Sequence, residues 1–316
     1  MLLTINDKKQ AKLQNFMQFT SNILILHNLN INRVQLFKEK KALRDFLSAE
    51  KTSHKTIGFV PTMGALHEGH LSLIEFAQTT CEVVVVSIFV NPTQFNNKED
   101  LEKYPRTLDN DIKLIEEKFS RGIVIFAPNA QEIYGKEILS SHFDFGSVAT
   151  FMEGKYRDGH FDGVGTVVKK LFEVVEPDKA FFGEKDYQQL LIIKKLVELT
   201  KLPVDVIGCK INREENGLAR SSRNSLLSIE DKAESAFIYK SLQEAKNNFG
   251  IKSVKDIEKD IKFAFEKHPL LRLEYFEIAN AQTLESFSES KQEEKYRAFI
   301  AAYAKNVRLI DNIALN

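Results

Sequence analysis

The stretch Val83-Val84-Val85-Val86-Ser87-Ile88-Phe89-Val90 limits the fold more than any other, because only Ser87 interrupts its apolar, mostly β-branched character. A strand with one wet face alternates apolar and polar side chains. An unbroken apolar run instead suits a strand covered on both faces, as in a parallel sheet. Parallel strands need crossover connections, usually helices, and the surrounding sequence supplies them. Strand-like apolar runs at 56–60, 82–90, 123–126, 179–182 and 203–209 alternate with helical apolar spacing at 38–47, 70–78, 107–119, 165–175 and 187–199. This alternation predicts a doubly wound α/β domain.

From about residue 211 the pattern changes. A polar loop at 212–225 leads to helices expected at 229–247 and 254–267, with strands expected at 271–279 and 307–313, a small α+β unit. Residues 1–32 are rich in Asn and Lys and keep no sustained period. They read as an N-terminal extension, or the true start is Met17. The expected organisation is therefore an extension at 1–32, a ligand-binding domain at 33–211 and a smaller domain at 212–316.

Composition excludes several classes of function. Lys plus Arg and Asp plus Glu each number 44, so the formal net charge is zero, which argues against a polyanion partner such as nucleic acid. A local phosphate site needs only a few donors and stays possible. The hydrophobic fraction of 43% is enough to fill a core. Cys81 and Cys209 each lie beside a strand-like run and have no metal-ligand spacing, so they read as buried thiols in a reducing compartment. No apolar run approaches the roughly 18–20 residues needed to cross a bilayer. The N-terminus, whose clean apolar run is only 23–26, makes a poor signal peptide. A cytoplasmic enzyme with no membrane partner is expected.

In open α/β sheets ligands bind beyond the carboxyl ends of the strands, so the residues following each run carry the functional argument. Pro61-Thr62-Met63-Gly64-Ala65-Leu66-His67-Glu68-Gly69-His70 joins a strand to a helix. Gly64 permits a tight turn, Gly69 lets backbone approach a ligand, and the helix start offers free N–H groups to phosphate. His67 and His70, three apart, face the same way and can donate to phosphate oxygens. The bland alternative is a pair of capping histidines. Asn91-Pro92-Thr93-Gln94 brings polar groups in abruptly where the buried run ends. The amides of Asn91 and Gln94 suit a hydroxy acid, although a simple Asn-Pro turn would look the same. Gly183-Glu184-Lys185-Asp186 places a lysine at another strand end, with Gln189 one helical turn on; a solvated surface lysine is its bland reading. Arg220-Ser221-Ser222-Arg223 packs two hydroxyls and two guanidinium groups into one loop, an oxyanion-binding set or a polar interdomain hinge. No nucleophile–base–acid triad is visible. The set points to catalysis by positioning and charge stabilisation, as in phosphoryl or nucleotidyl transfer.

These stretches, with Tyr104-Pro105-Arg106-Thr107-Leu108, Gly159-His160-Phe161-Asp162-Gly163-Val164 and Phe182-Gly183-Glu184-Lys185-Asp186-Tyr187-Gln188-Gln189-Leu190, resemble the signature motifs of the pantothenate synthetases, in family order from about residue 34 to the C-terminus. The resemblance implies a Rossmann-like, nucleotidylyltransferase-type doubly wound parallel sheet with a smaller α+β C-terminal lid domain, and a homodimer. It implies that ATP, accompanied by Mg²⁺, lies against Met63, Gly64, His67, His70, Gly183, Lys185, Asp186, Asn212, Arg220, Ser221, Ser222 and Arg223. Asn212 would act through its backbone. Gln94 and Gln189, with Asn91 beside them, would hold pantoate and β-alanine. His70 matches the proton donor of the family, and His67, Lys185, Ser221, Ser222 and Arg223 match groups that stabilise the transferring phosphate. The implied reaction is ATP-dependent condensation of (R)-pantoate with β-alanine through a pantoyl adenylate, releasing pyrophosphate and AMP.

Three departures from the family pattern stand out. Thr93 and Arg220 occupy positions where Met is common, so a more polar pantoate wall is expected, and Arg220 either adds a charge near the phosphates or points to solvent with only its backbone used. The segment Asp109-Asn110-Asp111 has fewer carboxylates than usual, which leaves Asp111 as the expected metal-side residue. A nucleotidylyltransferase moving AMP or CMP to a phosphate ester would share the His-x-Gly-His turn but would leave Gln94 and Gln189 unexplained. An ATP-sensing protein would be free to lose the phosphate-stabilising groups, which are all present. A dehydrogenase is disfavoured because no Gly-x-Gly-x-x-Gly follows the first strand.

Overall fold

The computed structural model describes residues 34–316 apart from 96–97, 288–289 and 292, so the expected extension at 1–32 lies outside the described residues. Strands β1 (Gln35–Phe37), β2 (Ile57–Thr62), β3 (Val83–Ile88), β4 (Ile123–Phe126), β5 (Lys179–Gly183) and β6 (Asp205–Cys209) form one sheet in the order β1-β4-β3-β2-β5-β6, with every pairing parallel. Strand β3 lies inside it, between β2 and β4. Val83 and Val85 pack on one face with helices Lys40–Thr52, His160–Val175 and Tyr187–Thr200. Val84 and Val86 pack on the other with helices Glu68–Gln78 and Leu108–Lys118. The unbroken apolar run is thus a strand buried on both sides, where each side chain contributes about 1.5–3 kcal/mol. From β2 the chain winds outward through β3 and β4, whereas β5 and β6 extend the sheet the other way. The reversal opens a crevice at the carboxyl ends of β2 and β5.

Strands β7 (Leu271–Asn280), β8 (Tyr296–Ala304) and β9 (Val307–Ala314) form an antiparallel sheet in that order, backed by helices Phe237–Asn248 and Val254–Glu266. The sequence pattern did not reveal β8. Its Tyr296, Ala298, Ile300, Ala302 and Ala304 meet the helices, while Phe299 and Ala301 pack with Met152 of helix Met152–Tyr156, beside the first sheet. Two different partners bury the two faces, so no alternation survives.

Other boundaries also moved. The helix expected at 229–247 is two, Ile229–Glu234 and Phe237–Asn248, because the buried Ser235 hydroxyl donates to Asp231 O at 2.7 Å and the backbone there shifts to tighter bonding. The helix expected from 165 begins at His160, after Gly159 at φ 67°. Cys81 and Cys209 are buried free thiols.

Candidate active site

A cleft of about 940 Å³ opens at the reversal point and runs beneath the second sheet. Its lining includes Met63, His67, His70, Asn91, Gln94, Gly183, Lys185, Asp186, Gln189, Asn212, Arg220, Ser221, Ser222 and Arg223. The structure therefore gathers nearly all the expected site residues. Gly64 and Asp111 lie in the wall behind it.

The turn after β2 is shaped by its neighbours. Thr62 Oγ1 donates to Ser87 O at 2.7 Å and accepts from Gly64 N at 3.2 Å. Gly64 has φ 81°, and a Cβ there would lie 3.1 Å from Asp111 Oδ2 and 3.2 Å from Ile88, so only glycine fits. Ala65 follows in the left-handed region at φ 49°, uncommon for a residue with a side chain. Asp111, 1% exposed, holds it there: Oδ2 accepts from Ala65 N at 3.1 Å and Oδ1 from Leu66 N at 2.8 Å, with Thr107 Oγ1 donating to both oxygens. Burial pushes this carboxyl above the usual carboxylate range. Asp111 is therefore not available as the expected metal-side residue; its lone pairs hold the turn. Replacing Asp111 by alanine strands two buried N–H groups and is expected to lower the unfolding free energy by about 2–4 kcal/mol. Urea unfolding with and without Mg²⁺ checks this, and a loss seen only with Mg²⁺ would restore the metal role.

His67 is the N-cap of helix Glu68–Gln78: Nδ1 accepts from Gly69 N at 3.1 Å, and His70 Nδ1 accepts from His67 N at 3.4 Å. Each ring uses Nδ1 as an acceptor, so in the neutral form its proton sits on Nε2. The ring centroids are 4.1 Å apart. Burial, then the charges of Lys185 and Arg220, pushes His67 down to about 4. Burial, then His67 and Lys185, pushes His70 down to about 3. Both imidazoles are neutral at pH 7. The capping expected as the bland reading is present, and by engaging Nδ1 it leaves the Nε2–H of each ring as its remaining donor.

Gln94, which also lines the cleft, is 9% exposed. Its Oε1 accepts from Asn91 Nδ2 at 3.1 Å, and its Nε2 reaches only the soft Met63 Sδ at 3.1 Å. Asn91, expected to touch substrate, has its groups already engaged. Nδ2 also donates to Gly163 O at 3.2 Å, and Oδ1 accepts from Tyr134 OH at 2.5 Å and Thr93 Oγ1 at 3.1 Å. It orients Gln94. The Thr93 hydroxyl is likewise spent on Asn91 and Tyr134, so the more polar wall expected there does not form. Gln189 has no hydrogen-bond partner among the described residues, whereas its neighbour Gln188 is buried and bonds Val148 O, Phe151 O and Glu153 N.

The roof is the loop after β6. Asn212 O accepts from Arg220 N at 3.0 Å. Ser221 Oγ accepts from Arg223 N at 3.3 Å, leaving its own proton free. The Ser222 hydroxyl and Arg223 guanidinium have no side-chain partner among the described residues. Arg220 Nε is buried without a hydrogen-bond partner among the described residues. Lys185, 18% exposed, lies 3.9 Å from Asp186.

One cleft residue was not singled out from sequence. His160, 5% exposed, has Nδ1 2.9 Å from Gln94 O. A carbonyl can only accept, so the proton is on Nδ1 and Nε2 is an acceptor. Burial, then Arg157, pushes it down to about 4. The signal was its place in the Gly159–Val164 motif.

The acidic side chains of the cleft do not form a cation site. Among the described residues no three His, Cys, Asp or Glu side chains group as ion ligands, and Glu153, Glu274 and Asp311 are tied to Arg308 or Arg213.

Comparison with known proteins agrees with this fold. A sequence profile described as Pantoate-beta-alanine ligase matches residues 35–314. A pantothenate synthetase of Christiangramia forsetii is 56% identical over 90% of this chain and 100% of its own length. The crystal structure of pantothenate synthetase from Thermus thermophilus superposes with a TM-score of 0.81 at 38% identity, covering 89% of this chain and 99% of that one. A Francisella tularensis pantoate-beta-alanine ligase, complexed with beta-gamma ATP and beta-alanine, has a TM-score of 0.73 at 34% identity, covering 89% and 98%. The chain belongs to the pantoate–β-alanine ligase family.

Proposed function

We propose that the chain condenses pantoate with β-alanine at the expense of ATP, as a pantothenate synthetase. The observation that carries this reading is the convergence of two neutral imidazoles, Lys185, the Arg220–Arg223 loop and the amides of Gln94 and Gln189 on a single cleft.

The triphosphate lies against the start of helix Glu68–Gln78, with the nucleotide reaching Met63, Gly183, Asp186 and Asn212. A pantoate carboxylate oxygen attacks the α-phosphorus, the bond to the bridging oxygen breaks, and pyrophosphate leaves. His67 and His70 donate through Nε2–H as negative charge grows on the phosphate oxygens. With pKa values near 4 and 3 they act as hydrogen-bond donors that keep their protons. Lys185 and Arg223 supply positive charge, and Ser221 and Ser222 supply hydroxyl donors. Gln94, its Oε1 fixed by Asn91, and Gln189 hold the pantoate. The amine of β-alanine then attacks the carbonyl carbon of the adenylate, AMP leaves, and the amine proton passes to solvent. Residues 212–316 act as a lid over the domain at 33–211 and keep water from the anhydride.

The side chains do not fit a resident metal ion, so Mg²⁺ enters this reading only as the companion of the ATP phosphates. A homodimer and a cytoplasmic location belong to the same reading. No described helix is long and apolar enough to cross a membrane.

The test is pyrophosphate release by the full chain with ATP and Mg²⁺, with and without pantoate, followed by AMP release on adding β-alanine. Dependence on both acids establishes the reading. Release of pyrophosphate with a phosphate ester in place of pantoate would replace it.

A further inference from the structure

Two loops line the proposed phosphate site, 183–186 after β5 and 212–224 after β6. Strand β9 touches both through consecutive residues. Asn312 is 2% exposed, and its Nδ2 donates to the carbonyl oxygens of Glu184 and Lys185, each at 2.9 Å. Its Oδ1 accepts from Arg297 Nη1, which sets the orientation of the amide. Arg297 also donates to Glu184 Oε2 at 3.1 Å, and its guanidinium lies 3.9 Å from the centre of the Tyr187 ring. Asp311, 4% exposed, binds Arg213 through both oxygens, at 2.6 and 3.0 Å. Arg213 in turn donates to Gly217 O at 3.0 Å, stacks 3.8 Å over Tyr239 and pairs its backbone with Ala219, next to Arg220.

Strand β9 enters the second core through Val307, Leu309 and Ile313, apart from this chain of contacts. Buried polar groups cost free energy unless satisfied, and paired ones fix one geometry. In this network the side chains of Asp311 and Asn312 are fully paired, while Arg297 Nε has no partner among the described residues. Here the pairing fixes the peptide carrying Lys185 and the base of the Arg220–Arg223 loop against the same two residues.

We propose that Asp311 and Asn312 are positioning residues that set the separation of Lys185 from the Ser221–Arg223 loop. The last strand of the chain is thereby part of the catalytic apparatus as well as of the lid. The proposal rests on the functional reading above, and its test keeps the two apart.

The full chain is compared with Asn312→Ala, Lys185→Met and the double variant. Asn312→Asp serves as the same-volume variant, in which an oxygen replaces the amide donor. A misplacement of about 1 Å costs on the order of a hundredfold in rate, so Asn312→Ala and Asn312→Asp are each expected to lower kcat for pyrophosphate release at least about tenfold, with the KM for pantoate nearly unchanged. If Asn312 acts through Lys185, its removal costs little more once Lys185 is gone. Full multiplicative loss in the double variant would overturn the proposal, as would wild-type kcat in a folded Asn312→Asp. Calorimetric ATP titration of the same variants gives a readout independent of turnover. There the two substitutions are again expected to be non-additive, and independent effects would overturn the clamp. A wild-type chain that binds ATP but releases no pantoate-dependent pyrophosphate would remove the functional reading, while the ATP cycle still decides the clamp.

Discussion

Replacing His70 by alanine is expected to reduce pantoate-dependent pyrophosphate release at least about a hundredfold, as for loss of one preorganised donor at a transition state, while the fold persists. The ring loses two jobs of unequal weight. As a cap it accepts one backbone bond, His67 N to Nδ1 at a long 3.4 Å, and losing such a cap costs about 0.5–2 kcal/mol of stability. As a donor it presents Nε2–H inside a cleft from which much water is excluded. There a neutral N–H aimed at growing charge contributes far more than it would in water, because its surroundings need not reorganise. Thermal melting should therefore change modestly while kcat collapses. The KM for ATP should move less than kcat, since the bond strengthens as phosphate charge develops. Near-normal turnover in a folded His70→Ala protein would remove His70 from this role.

The residues legible in the sequence are those whose chemistry and chain position coincide. His67, His70, Gln94, Lys185 and Ser221 each lie on the segment that leaves the carboxyl end of a strand, and the crevice of a doubly wound sheet lies at those ends. β3 was legible because burial on both faces leaves an apolar run that no half-exposed strand or surface helix shows. β8 was not, because its faces are buried by unrelated partners. The backbone contacts of Asp111, read from sequence as a metal-side residue, and of Asn312 were hidden for a different reason. Their partners are 45 and 128 residues away in the chain, and their function is to bond backbone, which leaves no mark on local pattern. Asn91 misled in the opposite sense. Its amide suits a substrate, but the fold uses both of its ends for Gln94, Gly163, Tyr134 and Thr93. A polar side chain at a strand end announces the site. Whether it faces the ligand or braces the residue that does depends on contacts only the fold supplies.

The second large effect is expected at Lys185. Its ammonium lies in the cleft at 18% exposure, with the Asp186 carboxylate at 3.9 Å. A unit charge about 4 Å from growing phosphate charge contributes on the order of 4 kcal/mol at an effective dielectric constant of about 20. Lys185→Met, which keeps the length of the stem and removes the charge, should lower kcat by about a hundredfold to a thousandfold. The substitution should also alter the pH profile. Lys185 is one of the charges holding His67 and His70 below the usual histidine range. Without it both rings should protonate at higher pH than about 4 and 3, yet still below 6.5, because burial is the larger cause in each. A ring protonated at Nδ1 turns an N–H against the backbone donors Gly69 N and His67 N and breaks the cap. The acid limb of activity should therefore lie near pH 4 in the wild type and move toward neutral pH in Lys185→Met. Histidine NMR titration and the pH–rate profile read the same shift by separate means. An unmoved titration with lowered kcat would leave Lys185 a phosphate contact alone, and an unmoved kcat would remove it from the site.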